Sequence, residues 1–535
     1  MTRLGVALVV TAVAALLVLP PLGQRTLATN DEARFALLAR DMIERGAWFD
    51  VQFRGTRYRN KPPLYPWSIA GLSLLRGRVT EGTAQAPVAV AAIGSVLFTF
   101  LLGDRLFNRR AGLWAALILA TSYGFFALSQ QSLPDLIVVC FQTIAGYSFW
   151  RAVREPPGRG ALVAFYLALA FAVFAKGPVG LLPLLPAVLW LWTERGWKAA
   201  ARSLWSPVGA AVFALVTLIW LGPFLALGSA SFGRSVLWQN WLAWYAGGPA
   251  PRNLGNLAVD SVVGFMPWTL VAPLAVAAAL GARRNPPVRF ALLWAAVPLL
   301  MIMLAHNQRT RYLAPVYPGA ALLAAWWADT HAADRTRAGR VVGWISLAGA
   351  LAVIAVLHAP TWLGAAQRPF VPGFSWQALP LVMAIALLGI ALFRGLHTGR
   401  PTLVVYGGVT AMVVILGYGI WLYTARFNER WDFRRLAASI ERHAAGGDAG
   451  MCGVKWFSLD FYLGRPVLWA GTAQECDAFL ARADRPVGVV NRRTWRSIQG
   501  KASPALVVLE ETTIGGQNVL ILRHDGSGET RPNRP

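Results

Sequence analysis

Residues 29–77, TNDEARFALLARDMIERGAWFDVQFRGTRYRNKPPLYPWSIAGLSLLRG, are polar, aromatic and basic in a chain otherwise built from long apolar runs. The stretch reads as a platform lying on a membrane surface. Thr29 and Glu32 have the spacing of a capping box, which starts a helix with Asp31 and Glu32 beside unpaired backbone N–H groups and keeps both carboxylates ionised. Phe35, Leu38, Ala39, Met42 and Ile43 then fall on one face, and Arg34, Asp41, Glu44 and Arg45 on the other, as in a helix lying in the interface plane. Gly46 ends it, and an aromatic-rich extended segment follows. Lys61, Pro62 and Pro63 break the chain before a second short apolar helix, whose Tyr65 and Trp67 suit a headgroup-level belt.

Around this platform the chain has 535 residues, 56% hydrophobic and 14% charged, too apolar for a soluble globular protein. Thirteen runs have the length of a span, at about 4–23, 86–103, 111–127, 134–150, 160–175, 178–193, 206–227, 260–281, 289–305, 312–328, 341–358, 377–393 and 402–424. The first has no small-residue cleavage site before Arg25 and reads as an uncleaved span. With the N-terminus inside, the short inner loops carry 16 Lys or Arg and the short outer loops 4. That asymmetry sets the orientation and explains the net charge of +25 better than nucleic-acid binding does, because the arginines sit in loops between apolar runs. An odd number of spans puts the C-terminal tail outside.

The expected organisation is a polytopic α-helical membrane domain over 1–427, a small α/β domain over 428–524 and a disordered tail over 525–535. Strand-like runs at 450–455, 487–490, 506–509 and 519–522 alternate with helix-like stretches near 432–445, 473–483 and 492–499. Cys452 and Cys476 fall in this outer domain, where disulfides are permitted; the sequence leaves open whether they meet. Cys140 lies in an apolar run, and no Cys/His spacing suggests zinc.

On this topology Asp31, Glu32, Lys61, Asp135, Lys176 and the segment 306–312 (HNQRTRY) share the outer face. Asp135 opens the fourth span after Pro134, and Lys176 stands at the turn made by Gly177 and Pro178. Arg309 and Arg311 run against the positive-inside tendency, and guanidinium forks suit phosphate. Each of these alone also fits a helix-end charge; their common side is what points to function. The outer loop 228–259 spaces Trp238, Trp241, Trp244 and Tyr245 as an interfacial anchor or a lid over an apolar ligand. Together, carboxylates for proton acceptance, cations for a leaving phosphate and an apolar groove for a lipid tail describe transfer at a membrane surface.

DEARFALLARDM at 31–42, the Lys-Pro near residue 61, the membrane-edge Asp135, AKGP at 175–178 and RYLAPVYP at 311–318 resemble a known family. The chain is similar to the polyprenyl-phosphate-sugar-dependent glycosyltransferases of the GT-C superfamily, near the lipid A aminoarabinose transferases and the protein O-mannosyltransferases. The resemblance covers the first ten spans. It implies inverting transfer of a sugar from an undecaprenyl-phosphate carrier to a lipid, glycan or protein acceptor at the periplasmic face of the bacterial inner membrane. It also implies Asp31, Glu32 and Asp135 as catalytic acids, and Arg34, Lys61, Lys176, Arg309, Arg311 and Tyr312 as the groups facing the donor phosphate. No cofactor is called for. Asn60-Lys61-Pro62 stands where the aminoarabinose transferases have Glu-Lys-Pro, and Gln239 or Asn240 where they have a metal-binding His, which argues against a bound zinc and against the identical substrate. A transporter or flippase of lipid-linked sugars is the alternative, but it calls for repeat symmetry and midplane charges. A non-catalytic scaffold leaves the acids and cations without a purpose.

Overall fold

The computed structural model describes residues 2–58, 60–154, 158–227, 251–306, 308–358, 378–481, 486–499 and 506–524. All thirteen apolar runs carry helix among these residues. Among the described residues eight helices are long and apolar enough to cross a membrane, or nine if the bent pair Arg109–Ala120 and Tyr123–Ser129 is one span. That pair turns by 62°. Thr121 and Ser122 cause it locally, since their hydroxyls donate to the carbonyls of Leu117 and Ile118 and compete with the helical ladder. The other four runs are short or interrupted. Arg3–Val18 is a helix of 16 residues. The remaining three are broken where prolines withhold an N–H: Pro178–Leu181 is a 3-10 turn before Leu184–Arg195, Pro267 separates Pro251–Gly264 from Ala272–Gly281, and Pro315 separates Thr310–Leu313 from Val316–Thr330. Length alone therefore does not reach the count of thirteen.

The Glu81–Leu106 and Arg109–Ala120 helices form a tight hairpin. A Cβ on Gly103 would stand 2.8 Å from the Gly112 Cα, so only glycine lets these backbones approach so closely. Outward faces stay apolar where no helix covers them. On Pro207–Ala226, Val208, Leu215 and Leu218 are exposed, which is the surface a bilayer covers.

The platform begins at the Asn30–Arg45 helix, capped by Thr29 through the full capping box and ended by Gly46 at φ 64°. Its apolar face is buried in protein and does not lie on lipid: Leu38, Ala39 and Met42 are fully buried. Tyr65, read as a belt residue, is likewise buried, with its hydroxyl donating to the Ala84 carbonyl. Strands β1 (Gln52–Phe53) and β2 (Thr56–Arg57) pair antiparallel across the extended segment, ahead of the Leu64–Arg76 helix.

The C-terminal domain is a five-stranded sheet built from β3 (Ala449–Cys452), β4 (Leu468–Ala470), β5 (Val487–Asn491), β6 (Leu506–Ile514) and β7 (Gln517–His524), in the order β4-β3-β5-β7-β6. Parallel pairing of β3 with β4 and β5 gives way to antiparallel pairing at β7 and β6. Cys452 and Cys476 are joined in a disulfide. The domain docks on the platform through Asn30, whose side chain donates to the Lys455 carbonyl and accepts from the Phe457 N–H, and through Arg434, paired with Glu81. Residues 525–535 lie outside the described residues.

Candidate active site

Asp31 and Glu32, neighbours in the first turn of one helix, go to different environments. Helical geometry sends successive side chains about 100° apart, so one faces the platform's open side and the other its interior. Asp31 remains partly exposed and accepts from Arg34 Nη1 at 2.9 Å, Arg311 Nη2 at 2.8 Å and Arg309 Nη1 at 3.4 Å. Burial raises its carboxyl, but Arg311, Arg34 and Arg309 outweigh that and hold it below the usual carboxylate range. Glu32 is fully buried. Arg25 reaches both its oxygens, at 2.5 and 3.2 Å, the Ser132 N–H donates to it at 3.1 Å, and the Thr29 N–H and hydroxyl complete the set. Every lone pair direction is taken, so this carboxylate holds the platform to the loop before Asp135.

Asp135 begins the Asp135–Arg154 helix and is buried, paired with the Lys176 ammonium at the C-terminal end of the Arg159–Lys176 helix. Gly177, at φ 80°, lets the chain turn directly after that lysine. Lys176 also lies over the Tyr312 ring, 4.8 Å from its centre. Lys61 joins the cluster from the platform. Partial burial, reinforced by Lys176 and Arg311, pushes its ammonium down to about 8 against the pull of Asp135 and Asp31.

These groups head a cavity of about 420 Å³. Its polar lining is confined to Lys61, Asp135, Lys176, Arg311 and Tyr312, and the remaining walls are apolar, among them Val138, Leu181, Leu185, Pro298, Met301 and Ile302. An apolar chamber crowned by cations fits an amphiphile with a long apolar body and an anionic head.

Of the residues named from the sequence, Asp31, Arg34, Arg309 and Arg311 form one network, and Asp135, Lys176, Tyr312 and Lys61 adjoin it through Arg311. Glu32 stands beneath them. Gln308 turns back on the carbonyls of Met303 and Ala305. Gln239, Asn240 and the aromatic loop at 238–245 lie outside the described residues. Sequence reasoning missed Arg25 and Tyr58. Arg25 follows an apolar run, where a flanking cation is ordinary. Tyr58, beside Arg34, is buried, which pushes its hydroxyl up to about 12. Among the described residues no three metal-ligating side chains stand together, and Asp31 and Asp135 are each engaged by cations.

A bundle of long apolar helices with acids and cations gathered at one end and a small α/β domain at its C-terminus is the make-up of a multi-pass membrane protein. Residues 60–221 match the model of the dolichyl-phosphate-mannose-protein mannosyltransferase family. The chain is 29% identical over 370 residues to the undecaprenyl phosphate-alpha-4-amino-4-deoxy-L-arabinose arabinosyl transferase of Pectobacterium carotovorum, covering 65% of this chain and 64% of that one. To the transferase of the same name from Pseudomonas aeruginosa it is 30% identical over 320 residues, covering 57% and 56%. The matched part thus spans somewhat less than two thirds of these relatives' length. Its fold is shared with the crystal structure of ArnT from Cupriavidus metallidurans bound to undecaprenyl phosphate, with a TM-score of 0.78, 20% identity and 99% and 100% of the two chains covered. The archaeal oligosaccharyltransferase AglB from Archaeoglobus fulgidus is more distant, with a TM-score of 0.54, 13% identity and 91% and 69% covered.

Proposed function

We propose that this chain is a glycosyltransferase that moves a sugar, with inversion, from an undecaprenyl-phosphate carrier to an acceptor at the periplasmic face of the bacterial inner membrane. The observation that carries the reading is the cation-headed apolar cavity beside an ionised Asp31. The carrier's isoprenoid body occupies the apolar chamber, and its phosphate sits among Lys61, Lys176 and Arg311. Asp31 takes the proton of an acceptor hydroxyl as its oxygen attacks the sugar's anomeric carbon. The bond from that carbon to the phosphate oxygen breaks, and the leaving phosphate's charge is met by the three cations. Asp135 acts through Lys176, holding its ammonium in place, and Glu32 acts as a positioning residue through Arg25. The names of the curated relatives support the carrier class, and the disulfide supports an oxidising compartment for the outer domain. The acceptor class is an envelope glycolipid such as lipid A, another envelope glycan or a protein hydroxyl.

The test uses purified protein with radiolabelled sugar on undecaprenyl phosphate and an envelope glycolipid extract as acceptor. Label should pass to the extract with the unsubstituted protein and not with Lys176→Ala. Carrier that binds but is only moved across a vesicle membrane, with no label transferred, would favour the transporter.

A further inference from the structure

A second cavity, of about 430 Å³, adjoins the Thr310–Leu313 turn and shares Arg311 with the apolar chamber. Its lining is more mixed than the other's: Asp260, Thr310, Arg309, Gln131 and Tyr317 stand among Ala127, Leu128 and Val263. Tyr317 is 2% exposed, yet its hydroxyl has no hydrogen-bond partner among the described residues. Two glycines make room for that hydroxyl, since a Cβ on Gly124 or on Gly264 would stand 2.3 Å from it. Asp260 Oδ2 accepts from the Thr310 hydroxyl at 2.5 Å, and its carboxylate is partly exposed at the cavity. A buried phenol without a hydrogen-bond partner among the described residues, beside a partly exposed carboxylate at one cavity, calls for a ligand with hydroxyl or ammonium groups.

We infer that this cavity is the subsite for the donor's sugar ring, with Asp260 and Tyr317 reading its hydroxyl or amino groups. The assignment rests on the proposed transferase reading. With the carrier's body in the apolar chamber and its phosphate at Lys61, Lys176 and Arg311, the sugar lies on the far side of the phosphate from the tail. Arg311 is the residue that both cavities share. Asp31, bonded to Arg309 and Arg311, stands at the junction, where the anomeric carbon has to be for a hydroxyl deprotonated by Asp31 to reach it.

The experiment measures binding of three probes to the full-length protein in nanodiscs: undecaprenyl phosphate, the same carrier loaded with 4-amino-4-deoxy-L-arabinose, and the carrier loaded with mannose. The unsubstituted protein should bind at least one loaded form more tightly than the bare one. Asp260→Asn and Tyr317→Phe should each weaken that loaded form about tenfold or more and leave the bare carrier within about twofold, which also shows that the variants fold. Equal losses for bare and loaded carrier, no loss for either, or a raised acceptor KM with loaded-carrier affinity intact would each overturn the assignment. Failure of the transferase reading looks different: the bare carrier would not bind, or would bind equally well after Lys176→Ala and Arg311→Ala.

Discussion

At the scale of single residues, Asp31 and Lys61 carry the sharpest expectations. Asp31→Asn keeps the shape of the side chain and removes proton acceptance. Transfer to a hydroxyl acceptor should fall by about 10²–10⁴ while donor binding stays near normal, as single-turnover rates and carrier titrations would show. If transfer is near normal, Asp31 leaves the mechanism and Asp135 becomes the candidate base. Lys61 makes donor binding depend on pH. Its ammonium titrates near 8 in the folded protein, below the ordinary lysine range, so folding favours its neutral form and an anionic phosphate restores the charged one. Donor binding therefore takes up a proton above pH 8, and affinity should fall as pH rises through that value. Lys61→Arg, charged throughout, should flatten the profile between pH 7 and 9.5; an unchanged slope would assign the dependence to another group.

The Asn30–Arg45 helix is the element on which the site turns. Its first turn presents Asp31 to the arginines while Glu32 locks it from beneath, and Arg25 ties that lock to the Gln130 carbonyl and the Phe427 ring. Glu32→Ala leaves the Arg25 guanidinium buried and unpaired, which typically costs about 3–5 kcal/mol, whereas Thr29→Ala removes only a cap, about 1 kcal/mol. Thermal unfolding in nanodiscs should rank Glu32→Ala well below Thr29→Ala. The reverse order would show that the cap, and not the buried pair, fixes this helix.

Taken whole, the molecule is a helical bundle with a cluster of acids and cations at one end and a small α/β domain docked beside it. Arg434 and Tyr462 both converge on Glu81 from that domain, so the bundle and the sheet share a polar seam near the platform. The Cys452–Cys476 bridge closes a loop of 24 residues inside the domain, and Cys476→Ser should lower its stability by about 2–4 kcal/mol with the helical bundle unaffected. Limited proteolysis of the variant would show the C-terminal domain cut before the helical bundle. The same domain reports sidedness: a reporter fused after residue 430 should be active only outside the cytoplasm. Activity solely in the cytoplasm would invert the topology and remove the periplasmic site.

The sequence by itself determined the class of molecule, because apolar runs, inner-loop arginines and alternating patterns in the tail are local signals that burial in a membrane or a sheet enforces residue by residue. It also named Asp31, Lys61, Asp135, Lys176 and Arg311, since charges at span ends are costly enough to be conspicuous. Only the tertiary structure decided who meets whom. Asp31 and Arg311 are 280 positions apart, and no periodicity encodes such a pair. The same holds for the Cys452–Cys476 bridge, and for the separate fates of Asp31 and Glu32, which depend on what packs against each side of one helical turn. Asp260 gave no signal, and Tyr317 none beyond its place in RYLAPVYP, for a related reason: an acid in a helix and a tyrosine in an apolar run look ordinary until folding sets both on one cavity.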